Sequence, residues 1–254
     1  MPLLDPPGIW YADHRNAAMH HTPVLMIHGA GGTHLDWPAE LRRMPEANAI
    51  TPDLPGHGRS KGEGRGTISA YAADMVALLD ALKLQQVIVL GYSMGAAVAL
   101  MMALHHKARV AGLILIGGGA QMAVNPAILG GMQIGFEVTV RTIFDQQWAD
   151  GAGEQIKRLV LRRMLESDPD MMLNDYKAVN SFDVRNRLAH IRVPTLIIGG
   201  TDDRVVPFEQ SELLHRQIAG SKLVRIKGGG HMMVLEQPQA VAGAVQAWLR
   251  EVDP

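Results

Sequence analysis

The chain contains no cysteine. That excludes disulfides, thiolate metal sites and a cysteine nucleophile, and leaves composition silent on the redox compartment. A charge excess of either sign is also lacking. Lys and Arg number 24 against 25 Asp and Glu, a formal net charge of −1, so no global field draws the protein to nucleic acid or an anionic membrane. No apolar run is long enough to span a bilayer. The first residues, Met1-Pro2-Leu3-Leu4-Asp5-Pro6-Pro7, have neither a basic n-region nor a continuous apolar h-region, so no signal peptide is expected. The expectation is a soluble cytoplasmic protein with no nucleic-acid or membrane partner. Internal repeats and low-complexity segments are missing. So are H-E-x-x-H and a G-x-G-x-x-G after a strand, which Gly117-Gly118-Gly119 does not supply. The adjacent pairs His20-His21 and His105-His106 diverge on any regular backbone. No metal and no cofactor are expected.

What is present is enough chain for one large domain with a full core, or one domain with an insertion: 254 residues, 47% hydrophobic and 19% charged. Apolar, β-branched runs bounded by Gly, Pro or Asp stand at Val24–Ile27, Val87–Leu90, Leu113–Ile116, Thr195–Ile198 and Leu223–Ile226, with a weaker one at Ala49-Ile50-Thr51. Their hydrophobicity is continuous rather than alternating, as in strands buried on both faces of a parallel sheet. Helical spacing appears between them. Ile68–Leu84 carries Tyr71, Met75, Leu78, Leu79 and Leu82 on one face, Phe208–Ala219 follows Pro207, and Pro238–Glu251 opens on proline. Alternating strand and helix predicts an α/β, mostly parallel, doubly wound sheet.

From about Gln121 to Arg192 the alternation stops. Asn125-Pro126 and Asp168-Pro169 are N-cap/N1 pairs, and Glu154–Glu166 has an apolar face of Ile156, Leu159, Val160, Met164 and Leu165. The reading is a core of residues 1–120 and 193–254 with a helical insertion at 121–192.

Gly91-Tyr92-Ser93-Met94-Gly95 directly follows Val87-Ile88-Val89-Leu90 and precedes an apolar helix beginning Ala96-Ala97-Val98. A serine at a tight strand-to-helix turn, flanked by small residues, presents its hydroxyl at the carboxyl edge of the sheet. Such a hydroxyl needs a base. Of eleven histidines, His231 follows Gly228-Gly229-Gly230 at the end of the last strand and can reach across that edge. The imidazole needs an orienting carboxylate, and Asp202 and Asp203 follow the penultimate strand. Asp203 is preferred because it stands just before Arg204-Val205-Val206-Pro207, which leads into the next helix; Asp202 suits a turn cap. At the helix start, the Met94 backbone N–H can serve a developing oxyanion.

The order Ser, Asp, His along the chain, each at a strand end, resembles the α/β-hydrolase superfamily in its serine-triad, carboxylesterase-like branch with a helical cap. His28-Gly29-Ala30-Gly31-Gly32 and Asp53-Leu54-Pro55-Gly56-His57-Gly58-Arg59-Ser60 extend the resemblance over nearly the whole chain. It implies that 121–192 caps the site, that Ala30 N–H is the second oxyanion donor, and that His28 and His57 hold loops. A serine at the nucleophile position argues against the aspartate-dependent haloalkane dehalogenases and epoxide hydrolases. His-Gly-Ala-Gly-Gly in place of HGGG argues against hormone-sensitive-lipase-like esterases.

Fifteen methionines suit an adaptable apolar pocket, and Met122, Met132 and Met232 are its candidate lining. Arg141, Arg158, Arg162 and Arg163 fit solvated helix faces better than a carboxylate site. The function expected is hydrolysis of a small or medium apolar carboxylic ester, a small-molecule substrate, through an acyl-enzyme on Ser93. A C–C hydrolase of meta-cleavage products and a receptor-like ligand-binding member of the fold are the alternatives. No oligomeric state is specified.

Overall fold

The computed structural model describes residues 3–16, 18 and 20–253, so Met1 and Pro2 of the N-terminal segment lie outside the described residues. The strands are β1 (Leu3–Leu4), β2 (Ile9–Asp13), β3 (Val24–Ile27), β4 (Ala49–Pro52), β5 (Val87–Tyr92), β6 (Val110–Ile116), β7 (Thr195–Gly200) and β8 (Lys222–Ile226). They form one sheet in the order β1-β2-β4-β3-β5-β6-β7-β8. The pairs β1/β2 and β2/β4 are antiparallel and the other pairs parallel.

The helices are α1 (Ala39–Arg42), α2 (Ile68–Ala81), α3 (Met94–His105), α4 (Pro126–Ile134), α5 (Phe136–Gln146), α6 (Glu154–Leu165), α7 (Pro169–Asn180), α8 (Phe208–Gln217), α9 (Met233–Glu236) and α10 (Pro238–Val252). Successive strand residues feed two cores. Leu25, Ile27, Val89, Leu113, Leu115 and Ile197 pack with α2, α3 and Leu214 of α8. Val24, Met26, Ile88, Leu90, Ile114 and Ile198 pack with Leu41 of α1 and with Val241, Val245, Trp248 and Leu249 of α10. Burial on both faces explains the continuous apolar runs of the central strands.

Sequence patterning missed β1 and β2. The first has only two residues, and the second pairs antiparallel at the sheet's far side after a proline-rich stretch, so neither shows the buried parallel-strand signature. The predicted helix over Ile68–Leu84 ends earlier, at Ala81, because Lys83 turns into the left-handed region with φ +56°.

Helices α4 to α7 lie between β6 and β7. The Asn125 side chain accepts from Ala127 N–H at 2.9 Å and Asp168 from Met171 N–H at 2.8 Å, each with proline next in the helix. A bridge between Gln121 and Asp183, and Val184 N–H to the Ala120 carbonyl at 2.9 Å, tie the two ends of this insertion together. Among the described residues no helix is long and apolar enough to cross a membrane.

Candidate active site

Ser93 sits between β5 and α3 with φ +54° and ψ −118°. A left-handed conformation at a residue with a side chain costs on the order of 1–3 kcal/mol and persists only where the surroundings hold it. They do so here through close backbone approach. A Cβ on Gly91 would run into the Gly95 carbonyl, and one on Gly95 into the Ile27 carbonyl, so only glycine fits two residues either side of the serine. Ser93 N–H donates to the Ile116 carbonyl at 2.9 Å, anchoring the turn to β6.

The structure brings Ser93, His231 and Asp203 together. Ser93 Oγ is 2.9 Å from His231 Nε2, and His231 Nδ1 is 2.8 Å from Asp203 Oδ2. An ionised Asp203 accepts only, so Nδ1 carries the imidazole proton and Nε2 is free to accept from the serine hydroxyl. Asp203 Oδ1 accepts from Val205 and Val206 N–H at 2.9 and 2.8 Å, which fixes the carboxylate. Asp202 is exposed and takes the Thr201 hydroxyl at 2.7 Å, in a turn away from the imidazole. Both His231 and Asp203 are buried. Tyr92 lies beside the imidazole with ring centroids 5.3 Å apart, and its hydroxyl donates to Met232 Sδ at 3.0 Å. Burial pushes the Tyr92 phenol far up, so it stays protonated. Glu236 accepts from Gly230 and Ala149 N–H at 2.6 and 2.9 Å, tying the histidine loop to the segment between α5 and α6. Burial raises its carboxyl.

The loop after β3 approaches the serine closely. A Cβ on Gly29 would stand 3.2 Å from Ser93 Cβ. Among the described residues, neither Ala30 N–H nor Met94 N–H has a hydrogen-bond acceptor. Met94 opens α3, where the first N–H groups lack helical partners and the helix dipole is positive. Ala30 and Ser93 face the same cavity.

His28 and His57 lie in the loops beneath. Leu54 N–H donates to His28 Nε2 at 3.0 Å, and His28 Nδ1 donates to the Gly29 carbonyl at 2.8 Å. The ring is therefore neutral, and burial pushes its pKa down to about 4. His57 donates from both nitrogens, to the Pro55 carbonyl at 3.0 Å and to Asp175 Oδ2 at 2.7 Å. Burial lowers its pKa, but the Asp175 charge and hydrogen bond outweigh burial and the net shift is upward. Asp175 belongs to α7 and is fully buried. Sequence reasoning did not single it out. An acidic residue among Met171, Met172, Ala178 and Val179 on a buried helix face was the available signal. Glu236 had none, since its partners are backbone amides, which leave no residue-type signal, and one of them is 87 residues away.

The cavity above Ser93 has a volume of about 670 Å³, within the range of small-molecule sites. Met122 and Met232 line it, with Met164 of α6 and Met171 of α7. Met132 does not. It is buried in the apolar cluster that also holds Val140, Ile143 and Phe144 of α5, because α4 turns that face inward. Of the four arginines weighed in the sequence, only Arg163 lines the cavity, where it pairs with Asp36 at 3.2 Å. Burial raises the Asp36 carboxyl. Gln121, Gln147, Gln210 and Asn125 add neutral polar groups. Among the described residues no group of three or more His, Asp or Glu stands where it could hold a metal ion.

Comparison with known proteins agrees with this architecture. "Putative carbamate hydrolase RutD" from Azorhizobium caulinodans is 29% identical over 250 residues, covering 91% of this chain and 92% of that protein. "AB hydrolase superfamily protein YisY" from Bacillus subtilis is 28% identical over 239 residues, covering 87% and 89%. A thermophilic esterase from Thermogutta terrifontis superimposes with a TM-score of 0.86 at 26% identity, covering 97% of this chain and 94% of that one. The model of the alpha/beta hydrolase family matches residues 24–244, most of the chain and all of Ser93, Asp203 and His231, and the chain belongs to that family.

Proposed function

We propose that this hydrolase is a serine esterase that cleaves small or medium apolar carboxylic esters through an acyl-enzyme on Ser93. The observation that carries the reading is the unbroken relay from Ser93 Oγ to His231 Nε2 at 2.9 Å and from His231 Nδ1 to Asp203 Oδ2 at 2.8 Å, opening on a cavity. In the mechanism, His231 Nε2 takes the hydroxyl proton as Ser93 Oγ attacks the ester carbonyl. The carbonyl oxygen becomes an oxyanion and is met by the N–H groups of Ala30 and Met94. Asp203 stabilises the imidazolium and keeps its tautomer. His231 then gives the proton to the departing alkoxide as the C–O bond breaks. Water, deprotonated by His231, attacks the acyl-enzyme, and the proton returns to Ser93 Oγ as the acid leaves. Met122, Met164, Met171 and Met232 supply adaptable apolar wall for the acyl or alcohol group.

Relatives named as carbamate hydrolases favour carbamates as a second substrate class at the same serine. The same nucleophile, base and oxyanion donors serve that carbonyl, and the carboxamides of Gln121, Gln147 and Gln210 suit its extra nitrogen.

The test is steady-state hydrolysis of p-nitrophenyl esters of graded chain length, beside an aryl carbamate and a meta-cleavage diketone. Ser93→Ala is expected to lose about four orders of magnitude or more in kcat on esters while unfolding at an unchanged temperature. Retained ester hydrolysis in that variant, or turnover of the diketone alone by the wild type, overturns the reading.

A further inference from the structure

Asp175 lies on cap helix α7, yet its carboxylate is wholly buried and all its recorded partners belong to the core. Oδ2 accepts from His57 Nε2 at 2.7 Å and from Gly31 N–H at 2.8 Å. Oδ1 accepts from the Tyr71 hydroxyl, whose oxygen in turn accepts from Arg65 N–H at 2.8 Å. One side chain of the cap thus joins three core segments: the loop after β3, the Asp53–Ser60 loop and α2. A buried carboxylate with three donors, one of them on a cationic imidazole, is held rigidly, because moving it strands a charge.

The Gly31 contact matters most. Gly31 has φ +65° and directly follows Ala30, so the amide plane that fixes the direction of Ala30 N–H is one residue from the bond to Asp175. The same helix presses on the same residue, since a Cβ on Gly31 would stand 2.6 Å from Met172 Cε. The opposite end of the loop is fixed by Gly32 N–H to the Gly29 carbonyl at 3.1 Å. His28 Nδ1 also donates to the Gly29 carbonyl at 2.8 Å, on the peptide that carries Ala30 N–H, so His28 holds that peptide from the core while Asp175 holds the next one from α7.

We propose that Asp175 is a positioning residue. Through Gly31 it holds Ala30 N–H aimed at the oxyanion, so that the oxyanion site is complete only when α7 is seated. The proposal rests on the serine-esterase reading. It adds that the cap does more than wall the cavity: its seating sets how well the transition state is bound. Ground-state binding draws on other cap residues, Met164 and Met171 among them, which Asp175 does not hold through this bond.

The experiment uses the full chain, wild type and Asp175→Ala, with p-nitrophenyl butyrate as substrate and a phenylboronic acid as tetrahedral mimic. Burst acylation and boronate inhibition of the wild type test the esterase reading by themselves; their absence overturns that reading and the proposal with it. With both present, Asp175→Ala is expected to lose kcat by about 10–100-fold, the scale for a displaced catalytic group, with KM within about threefold. Boronate affinity is expected to fall by the same factor as kcat. Formate, a bare carboxylate, is expected to restore part of the loss, and chloride to restore none. A folded Asp175→Ala enzyme with unchanged kcat and boronate affinity overturns the proposal. So does a loss that follows only the folded fraction. If Asp175→Ala does not fold, His57→Gln is measured instead. It keeps a donor toward Asp175 and removes the positive charge, and a parallel loss of about 3–10-fold in kcat and boronate affinity is expected. Unaltered boronate affinity there overturns the proposal equally.

Discussion

Two adjacent aspartates show how much a single position decides. Asp203 is buried with both carboxylate oxygens occupied, one by His231 and the other by two backbone amides. Asp202 is exposed, and its carboxylate accepts from the neighbouring Thr201 hydroxyl. A backbone that turns tightly after β7 presents one of them to the histidine and the other to solvent. Asp203→Asn would keep the size and the amide contacts, but its NH₂ group can face His231 Nδ1. That favours the tautomer with the proton on Nε2, which cannot accept from Ser93. The expected loss in kcat on an activated ester is about three to four orders of magnitude with little change in KM. Asp202→Asn is expected to leave kcat within about twofold. Comparable losses in the two variants, read from the same steady-state assay, would contradict the assignment of Asp203.

At the scale of elements, the strand–turn–helix around Ser93 is a packing solution as much as a chemical one. Helix α3 is apolar on every side because it is buried on every side, and Gly95 lets it meet β3 backbone to backbone. Gly95→Ala drives a methyl into the Ile27 carbonyl. Overpacking of this kind costs about 1–3 kcal/mol and more where backbone must move, so a loss of at least about 2 kcal/mol is expected in urea unfolding. Gly243→Ala in α10 is the contrasting case. Its Cβ would meet open space, and a gain of up to about 1 kcal/mol is expected from helix propensity. Equal effects at both positions would show that close approach is not what demands glycine at the elbow.

The same two causes, local pattern and distant contact, separate what was legible in the sequence from what was not. Central strands such as Val87–Tyr92 were legible because burial on both faces leaves a continuous apolar run. Capped starts such as Asn125-Pro126 and Asp168-Pro169 were legible because the signal is local. Ser93, Asp203 and His231 were legible as candidates because each follows a strand, and the sheet brings strand ends together. Asp175 was not, because it lies 144 residues from Gly31 and 118 from His57, and its value comes only from the folded contact. Met132 pointed the wrong way for a related reason: composition marks a methionine as apolar but not which side of a cap helix meets the cavity.

At the scale of the whole molecule, α7 is joined to the loop that carries His57 by a titratable pair whose pH dependence has a definite sign. His57, paired with Asp175, has its folded pKa raised above the ordinary 6.5. The stability it contributes is fully present below about pH 6.5 and is lost as pH rises through the folded value. His28 lies beside it, ring centroids 4.9 Å apart, and behaves in the opposite sense. Folded as a neutral ring with a pKa of about 4 against 6.5, it must gain a proton on unfolding in mild acid. Its contribution is present above about pH 6.5 and is lost as pH falls toward 4, by at most about 3 kcal/mol. Asp53, Asp175 and Tyr71 surround the pair. Asp53, lowered overall because bonds from His34 and Arg59 outweigh its burial, stays ionised through this range. Burial and the Asp175 charge push the Tyr71 phenol up, so it stays neutral. The two histidines therefore favour the closed, folded molecule most near pH 6.5, with losses on either side. Thermal unfolding from about pH 5 to about pH 9 should show this maximum. His57→Gln should flatten the alkaline limb and also weaken the acid limb, since the His57 charge adds to burial in holding the His28 pKa down. An alkaline limb unchanged in that variant would mean that the joint between cap and core is held by the neutral contacts of Asp175 with Tyr71 and Gly31, and not by the ion pair.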